Sequence, residues 1–181
     1  MSIAELAEVV SFWREAGSER WFEKDEDFDR AIRSRFFTLH EAAARAEFAA
    51  SDDNAKDALA LVILLDQFPR NMFRGRTRAF ATDTLARVVA DRALARGFDK
   101  ATEEALRPLF YLPFMHSESL ADQDRCLALY EAFGDSGLLK YATMHRDIVV
   151  KFGRFPHRNG VMGRATTPAE QAFLDSGGFA G

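Results

Sequence analysis

Two short segments of the chain repeat one polar pattern directly after an apolar stretch. Residues 66–71 have the sequence DQFPRN and residues 154–159 have RFPHRN, so each contains Phe-Pro followed by Arg-Asn, with one additional residue in the second. The Phe-Pro pair has a structural interpretation, in which Phe enters the core, Pro ends a helix and Asn adopts turn geometry. That interpretation does not explain Gln67, His157 or the arginine that each segment contains. Both segments are therefore candidate functional sites.

Asp66 is the most unusual residue of the first segment. It directly follows the apolar run Ala58–Leu65 at the C-terminal end of a predicted helix, where the helix dipole disfavours a carboxylate. Burial of an unpaired carboxylate costs several kcal/mol, so Asp66 needs a partner, and Arg70 and Arg74 are the nearest candidates in the sequence. Two interpretations stay open: a salt bridge that fixes the turn, or a place in a ligand site.

Histidines mark the second half of the chain. His145 lies on an apolar helical stripe, which is more typical of a hydrogen-bonded core residue than of a ligand, but its helix leads directly into the second polar segment. His116 and Glu118 flank Ser117, which has the features of a helix N-cap, and Glu118 is favourably placed for the first turn. In the functional alternative, His116 and Glu118 face the same cavity as His145.

Basic side chains surround both polar segments. Arginine is well suited to bidentate binding of a carboxylate or phosphate, although a solvated basic face is an equally good interpretation. The basic residues concerned are Arg70, Arg74, Arg76, Arg78, Arg146, Lys151, Arg154, Arg158 and Arg164. If these residues bind a ligand, the sequence predicts that it is an anion.

Known catalytic patterns are absent from the sequence. The single cysteine, Cys126, excludes zinc sites built on a Cys pair, and there is no His-Glu-x-x-His motif, Gly-rich phosphate loop or Gly-x-Ser-x-Gly elbow. The side chains of a conceivable His-carboxylate metal site are Asp66, His116, Glu118, His145 and His157. Their spacing matches no recognised metal motif, so no metal is assigned and the cofactor is unknown.

The leading hypothesis is a pocket for a small anionic ligand, with catalysis as a further option. Arginines would hold the anion, and a histidine would exchange protons near neutral pH. The candidate catalytic residues are Asp66, His116, His145 and His157. The candidate ligand-binding residues are Gln67, Arg70, Asn71, Arg74, Glu118, Arg154, Arg158 and Asn159. The alternative is a protein- or peptide-interaction module with an exposed, aromatic-lined groove, in which the polar segments are purely structural.

The elements that position these residues are predicted to be helices throughout. Apolar residues recur at helical spacing and no stretch shows sustained strand alternation, which indicates an all-α fold. Pro69 is predicted to end the central helix. The eight predicted helices cover residues 4–15, 27–48, 54–65, 77–95, 102–111, 118–133, 136–152 and a short segment from Thr167-Pro168. Short loops predict antiparallel helical hairpins in a single domain, residues 1–181, with a loose tail at about 176–181.

Composition and charge narrow the class of protein. The net charge is −4, with 14 acids and 8 bases in residues 1–60 (a balance of −6) and 14 acids and 16 bases in the rest (+2). This balance argues against a general nucleic-acid binder. The sequence has one cysteine and no signal-peptide features, and its longest apolar run is Ala58–Leu65. Together these features predict a cytoplasmic protein without a membrane span.

Several motifs resemble a known bacterial family. They are residues 64–71 (LLDQFPRN), 79–83 (AFATD), 112–118 (LPFMHSE) and 152–159 (FGRFPHRN), with Arg74-Gly75, His145, Phe12-Trp13 and Trp21-Phe22. These motifs are similar to the bacterial domain-of-unknown-function 924 family over nearly the whole chain. The resemblance implies a right-handed superhelix of helical hairpins, similar to tetratricopeptide-repeat proteins, and no activity or catalytic residue. Because the roughly 34-residue tetratricopeptide signature is missing, peptide binding is not inferred from that likeness.

Overall fold

A computed structural model describes residues 3–48 and 53–179 of the chain. Over these residues the secondary structure is helical, without a β-strand, which confirms the predicted all-α fold. The α-helices are α1 (Ile3–Ala16), α2 (Ser18–Trp21), α3 (Glu26–Ala44), α4 (Ala55–Val62), α5 (Phe68–Met72), α6 (Asp83–Ala95), α7 (Leu112–Met115), α8 (Leu120–Phe133), α9 (Ser136–Phe152) and α10 (Pro168–Asp175). A π-helix covers Ile63–Gln67, and 3₁₀ turns cover Thr77–Phe80, Arg107–Phe110 and Pro156–Arg158. Within the described ranges, no helix combines the length and the apolar character that a membrane span requires.

Internal contacts divide the chain into two compact units. The first unit comprises Met1–Arg74 and Arg78–Pro113, and the second comprises Gly75–Thr77 and Phe114–Gly181. That residues 1–181 form a single domain remains a prediction, and so does the tetratricopeptide-like superhelix.

The core of the first unit is rich in aromatic rings. Trp13 of α1 is fully buried and stacks on Trp21 with ring centroids 5.7 Å apart, while the Trp21 indole N–H donates to the Trp13 carbonyl at 2.7 Å. Phe68, from the first polar segment, is also fully buried, and its ring lies 5.5 Å from that of Trp13 and 4.9 Å from that of Phe36. The structural interpretation of this phenylalanine as a core residue is therefore confirmed.

Three predicted helix boundaries in the first unit are wrong. Helix α3 ends at Ala44 rather than near residue 48, and Ala46 beyond it adopts a left-handed φ of 58°. Helix α6 begins at Asp83, because residues 77–80 form a separate 3₁₀ turn. Residues 102–106 form turns instead of an α-helix, consistent with Pro108, which lacks an N–H donor and lies inside the predicted helix.

The second unit is organised around the hairpin of α8 and α9. The two helices pack against each other. Gly134 ends α8 in a left-handed conformation with a φ of 88°, and the Asp135 carboxylate caps the N-terminus of α9. Helix α8 begins at Leu120 after Ser119, so the prediction of Ser117 as its N-cap is wrong. Thr167 caps α10 through a capping box, as the Thr167-Pro168 pair predicts.

Candidate functional site

The first polar segment lies in the π-helix between α4 and α5. The Phe68 N–H donates to the Ile63 carbonyl five residues earlier, and this wide turn places Asp66 and Gln67 inside the core, 0% and 3% exposed. The chain continues into α5 with Pro69 in the first helical turn, so the prediction that Pro69 ends the central helix is wrong. Proline is tolerated there because the first-turn N–H groups of a helix lack intrahelical partners.

Side chains satisfy the backbone carbonyls that this irregular turn leaves available. The His40 Nδ1 donates to the Leu64 carbonyl at 2.9 Å, and the Thr82 hydroxyl donates to the Leu65 carbonyl at 2.6 Å. Burial lowers the pKa of His40, which favours the neutral ring. Because an unpaired buried carbonyl is costly, these two side chains stabilise the turn that positions Asp66.

Arg70 joins the π-helix to the start of α6. Its guanidinium donates to both carboxylate oxygens of Asp83, at 3.0 and 3.2 Å, and to the backbone carbonyl of Asp66 at 2.5 Å. It also lies 3.3 Å from the Asp66 carboxylate, to which the Gln67 amide donates at 2.5 Å. Burial alone would lower the pKa of Arg70, but the charges of Asp66 and Asp83 raise it above its ordinary value. The guanidinium is therefore a permanent cation surrounded by oxygen atoms of its own unit.

Asn71 and Arg74 both bind the carboxylate of Asp29 in α3. The Asn71 amide donates to Oδ1 at 2.8 Å, and the Arg74 guanidinium donates to Oδ1 and Oδ2 at 2.9 Å each. The two ligand-binding candidates at the end of the first segment thus share one acidic partner within the first unit.

In the second unit, Glu118 accepts hydrogen bonds from two directions. The Phe155 N–H donates to Oε1 at 2.8 Å, and the Arg164 guanidinium donates to Oε2 at 2.7 Å and to Oε1 at 3.0 Å. Burial alone would raise the pKa of Glu118, but these donors and the nearby charge of Arg158 lower it below its ordinary value. Glu118 is therefore an anion held by the second polar segment and the loop after it.

His116 contributes its backbone to the same region. Arg158 donates to the His116 carbonyl at 3.0 Å, and its guanidinium lies 4.6 Å from the centre of the Phe155 ring. Ser117 donates to Asp122 at 2.6 Å. These bonds fix the segment that precedes α8.

Arg154 is bound to Glu170 of α10. Its Nε and Nη2 donate to the two carboxylate oxygens at 2.6 and 2.9 Å, and Nη2 also donates to the Ala165 carbonyl at 2.8 Å. The hydrogen bonds from Arg154, and then from the Thr167 backbone, hold the pKa of Glu170 far below its usual range. Asn159 is fully buried beside this carboxylate, and its side-chain oxygen has no hydrogen-bond partner among the described residues.

His145 and His157 lie against the same two phenylalanine rings. Phe155 is 5.6 Å from His145 and 5.7 Å from His157 between ring centroids, and Phe179 is 4.6 Å and 5.2 Å from them. The His145 Nδ1 donates to the Tyr141 carbonyl at 2.8 Å. Burial, reinforced by the positive charge of Arg158, lowers the pKa of His157 to about 4, so its ring is neutral near pH 7.

A groove with a volume of about 750 Å³ lies along α9 in the second unit. Apolar side chains from α9, α10 and the segment after α10 line it, with polar side chains among them. The lining residues are Ser136, Leu139, Lys140, Thr143, Met144, Asp147, Ile148, Lys151, Phe152, Phe173, Gly177, Gly178 and Phe179. None of the candidate site residues predicted from the sequence lines this groove.

Comparison with known proteins identifies the family. A family model described as a bacterial protein of unknown function, DUF924, matches residues 9–178. The chain belongs to the DUF924 family. A solved structure of a protein of unknown function from Agrobacterium tumefaciens is 50% identical, with a TM-score of 0.92 over 96% of this chain and 98% of that chain. A comparison with curated proteins gives no match.

The candidate residues of this DUF924 protein fall into separate groups. Those of the first unit are Asp66, Gln67, Arg70, Asn71 and Arg74, and those of the second are His116, Glu118, His145, Arg154, His157, Arg158 and Asn159. The structure pairs Arg70 with Asp66 and brings His145 and His157 against shared rings. Across the described residues, no three His, Cys, Asp or Glu side chains are arranged to hold a metal ion.

Sequence reasoning missed the partners of the candidate residues and the groove. Asp29, Asp83, Arg164 and Glu170 bind candidate residues that are 13 to 46 residues away in the sequence, beyond the reach of helical spacing. The groove had a detectable signal, because the lining residues Met144, Ile148 and Phe152 follow one another at four-residue spacing on α9. Ile148 and Phe152 belong to the predicted apolar stripe that contains His145, and Met144 lies beside that stripe.

Proposed function

We propose that this DUF924 protein is a protein-interaction module whose groove binds an acidic, amphipathic helix of a partner protein. The observation that supports the proposal is the groove of about 750 Å³, whose lining runs from the first residue of α9, Ser136, to the last, Phe152. An apolar channel along an exposed helix is the surface used in helix-in-groove recognition, where anchors on one stripe of the partner enter the channel.

The length of the groove favours a helix over a small molecule. The lining residues of α9 recur every three or four positions from Ser136 to Phe152, which gives a stripe about 24 Å long. A partner helix of about 16 residues spans that distance. Its apolar anchors would contact the partly exposed side chains of Leu139, Met144 and Phe152, whereas a small molecule would contact only part of the stripe.

The charges at the groove favour an acidic partner. Lys140 and Lys151 both line it and are separated by about 16 Å along the helix axis. Asp147 is the one acidic residue of the lining, so the net charge of the lining is positive. The Lys151 ammonium lies 5.0 Å from the Phe152 ring and 5.7 Å from the Phe173 ring, which positions a cation beside apolar anchors. Acidic residues toward both ends of the partner helix would complement the two lysines.

The environment of the arginines supports the structural interpretation of the polar segments. Arg70, Arg74 and Arg154 each form a two-point interaction with a carboxylate of their own unit. An anionic ligand would have to compete with these carboxylates for the same donors. We therefore assign these arginines to stabilisation and place the binding function in the groove.

The proposal is tested with a fluorescein-labelled, designed peptide of about 16 residues, with Leu on one helical stripe and Glu beside it. Fluorescence anisotropy should show saturable binding to the full chain. Met144→Glu puts a carboxylate into the apolar lining and should weaken binding by about tenfold or more. Val150→Glu is the matched control, because Val150 is 55% exposed on α9 and does not line the groove, so this variant should bind like the wild type.

Several outcomes would contradict the proposal. One is the absence of saturable binding, and another is equal weakening by Met144→Glu and Val150→Glu. A matched peptide with Lys in place of Glu should bind more weakly. Equal binding of the two peptides would contradict the proposed preference for an acidic partner. Saturable binding of decanoate in preference to the peptide would support a small anionic ligand instead. Concentration-dependent self-association that Met144→Glu abolishes would make a second copy of the chain the occupant.

A further inference from the structure

Phe179 occupies a slot formed by three aromatic rings of the second unit. His145 and His157 flank it at centroid distances of 4.6 and 5.2 Å, and Phe155 lies against both imidazoles. Phe155 is fully buried, whereas Phe179 is partly exposed. Phe179 also lines the groove on α9, so the slot adjoins the groove.

The chain reaches the slot through a short glycine tether. Gly177 ends α10 with a φ of 80°, its N–H donates to the Leu174 carbonyl, and the Gly178 N–H donates to the Phe173 carbonyl, which together form a Schellman motif. The motif lies in the segment predicted as a loose tail, of which residues 180 and 181 are outside the described residues. Two successive glycines give the backbone before Phe179 wide conformational freedom once the motif opens.

One polar atom of the rings that flank Phe179 has no hydrogen-bond partner among the described residues. The His157 Nδ1 is buried and has no hydrogen-bond partner in the described part of the chain. A buried imidazole nitrogen without a partner costs free energy, and an apolar ring cannot offset that cost. A hydroxyl group both donates and accepts, so it can bond to this nitrogen in either tautomer.

We infer that this slot is an aromatic-binding subsite of the groove, which Phe179 occupies when no ligand is bound. Its preferred occupant is a phenolic ring, such as a tyrosine side chain of the partner. The slot accepts an aromatic ring because it already contains one. It favours a phenol because a ring hydroxyl can hydrogen-bond to the unpartnered His157 Nδ1, whereas an apolar ring cannot. The identity of the partner rests on the proposed function, whereas the binding of a phenol to the slot does not.

The tether predicts competition between Phe179 and an incoming ring. A side chain held by a short flexible linker has an effective concentration near the millimolar range or above, so it masks the slot from weak ligands. Removing the Phe179 ring should therefore increase the apparent affinity of a free aromatic ligand without any new contact.

The experiment uses p-cresol and toluene, which differ by one hydroxyl group, and follows the imidazole resonances of His145 and His157 by NMR. In the full chain with Phe179→Ala, p-cresol should bind about tenfold more tightly than to the wild type. In the same variant, p-cresol should bind about tenfold more tightly than toluene. Adding His157→Leu should abolish the difference between the two ligands.

Val150→Ala is the matched control, because Val150 is 55% exposed on α9 and does not line the groove, so its p-cresol affinity should equal that of the wild type. Equal affinity of p-cresol for wild type and Phe179→Ala would overturn the inference, as would equal binding of p-cresol and toluene to Phe179→Ala. If Phe179→Ala does not fold, Phe179→Leu removes the aromatic ring while keeping an apolar side chain, and the same two comparisons apply.

The inference and the proposed function fail in different ways. Binding of p-cresol to Phe179→Ala without any binding of the designed peptide would contradict the proposed function and support the slot. Peptide binding that is unchanged when a tyrosine replaces an alanine at each end would contradict the slot as a partner subsite. A tyrosine-containing peptide that binds the wild type more tightly than its phenylalanine counterpart would support both.

Discussion

Glu118 and Arg164 form a two-point ion pair within the second unit, with Nη1 to Oε2 at 2.7 Å and Nη2 to Oε1 at 3.0 Å. Their side chains are only 26% and 22% exposed. Because Glu118 also accepts the Phe155 N–H, one carboxylate connects the segment before α8 to the segment after α9. The second polar segment therefore owes part of its conformation to a residue 37 positions earlier in the sequence.

Glu118→Gln should destabilise the protein by about 2 kcal/mol. The substitution keeps the shape of the side chain but leaves the Arg164 guanidinium without its anion in a partly buried position. Urea unfolding followed by far-ultraviolet circular dichroism measures the change in the free energy of unfolding. Asp124→Asn is the control, because the Arg146–Asp124 pair is more exposed and should contribute less than about 1 kcal/mol. Equal losses for the two variants would show that burial does not strengthen the Glu118 interaction.

His157 should make the protein less stable as the pH falls from about 6.5 to about 4. Its pKa is about 4 in the folded chain against 6.5 for an ordinary histidine, so the unfolded chain binds more protons in that interval. The free energy of unfolding then decreases with falling pH, by about 2 kcal/mol from this residue. His157→Gln should flatten the profile between those pH values. An unchanged slope would show that His157 does not titrate as its burial and the neighbouring Arg158 charge require.

Thr82→Val should cost about 1 kcal/mol, because it leaves the Leu65 carbonyl at the π-helix without the Thr82 hydroxyl donor. Thr143→Val is the control, since the Thr143 hydroxyl donates to the Leu139 carbonyl on the exposed face of α9, where water can replace it. Thermal unfolding of both variants provides the comparison. A loss of stability in Thr143→Val as large as that in Thr82→Val would contradict the role of Thr82 in satisfying the irregular turn.

The helices were predictable because their signals are local. Asn54 and Asp135 act as N-caps through side-chain bonds to residues two or three positions later, and the apolar stripe of α1 has helical spacing. The all-α class follows from such signals alone. Pro69 misled the prediction because a π-helix precedes it, and that turn is stabilised by His40 and Thr82 from distant parts of the sequence.

The candidate site was predictable only in part. The sequence identified Asp66 as a carboxylate that requires a cation, and Arg70 at the next helical turn is one of its partners. It could not identify Asp83 or Asp29, because those contacts depend on how helices pack rather than on spacing within one helix. The groove on α9 depends on where α10 and Phe179 come to lie, which the tail sequence does not specify.

Gly178→Ala should loosen the segment that contains Phe179. A Cβ atom at Gly178 would lie 2.5–2.6 Å from three carbon atoms of the Phe173 ring, closer than real contacts allow, so the ring or the backbone must move. The expected cost is about 1 kcal/mol, together with shifted imidazole resonances of His145 and His157 as Phe179 leaves its position. Gly160→Ala is the matched control, because an added Cβ there meets nothing within 4 Å. Unchanged imidazole resonances in both variants would show that the position of Phe179 does not depend on the packing of Gly178 against Phe173.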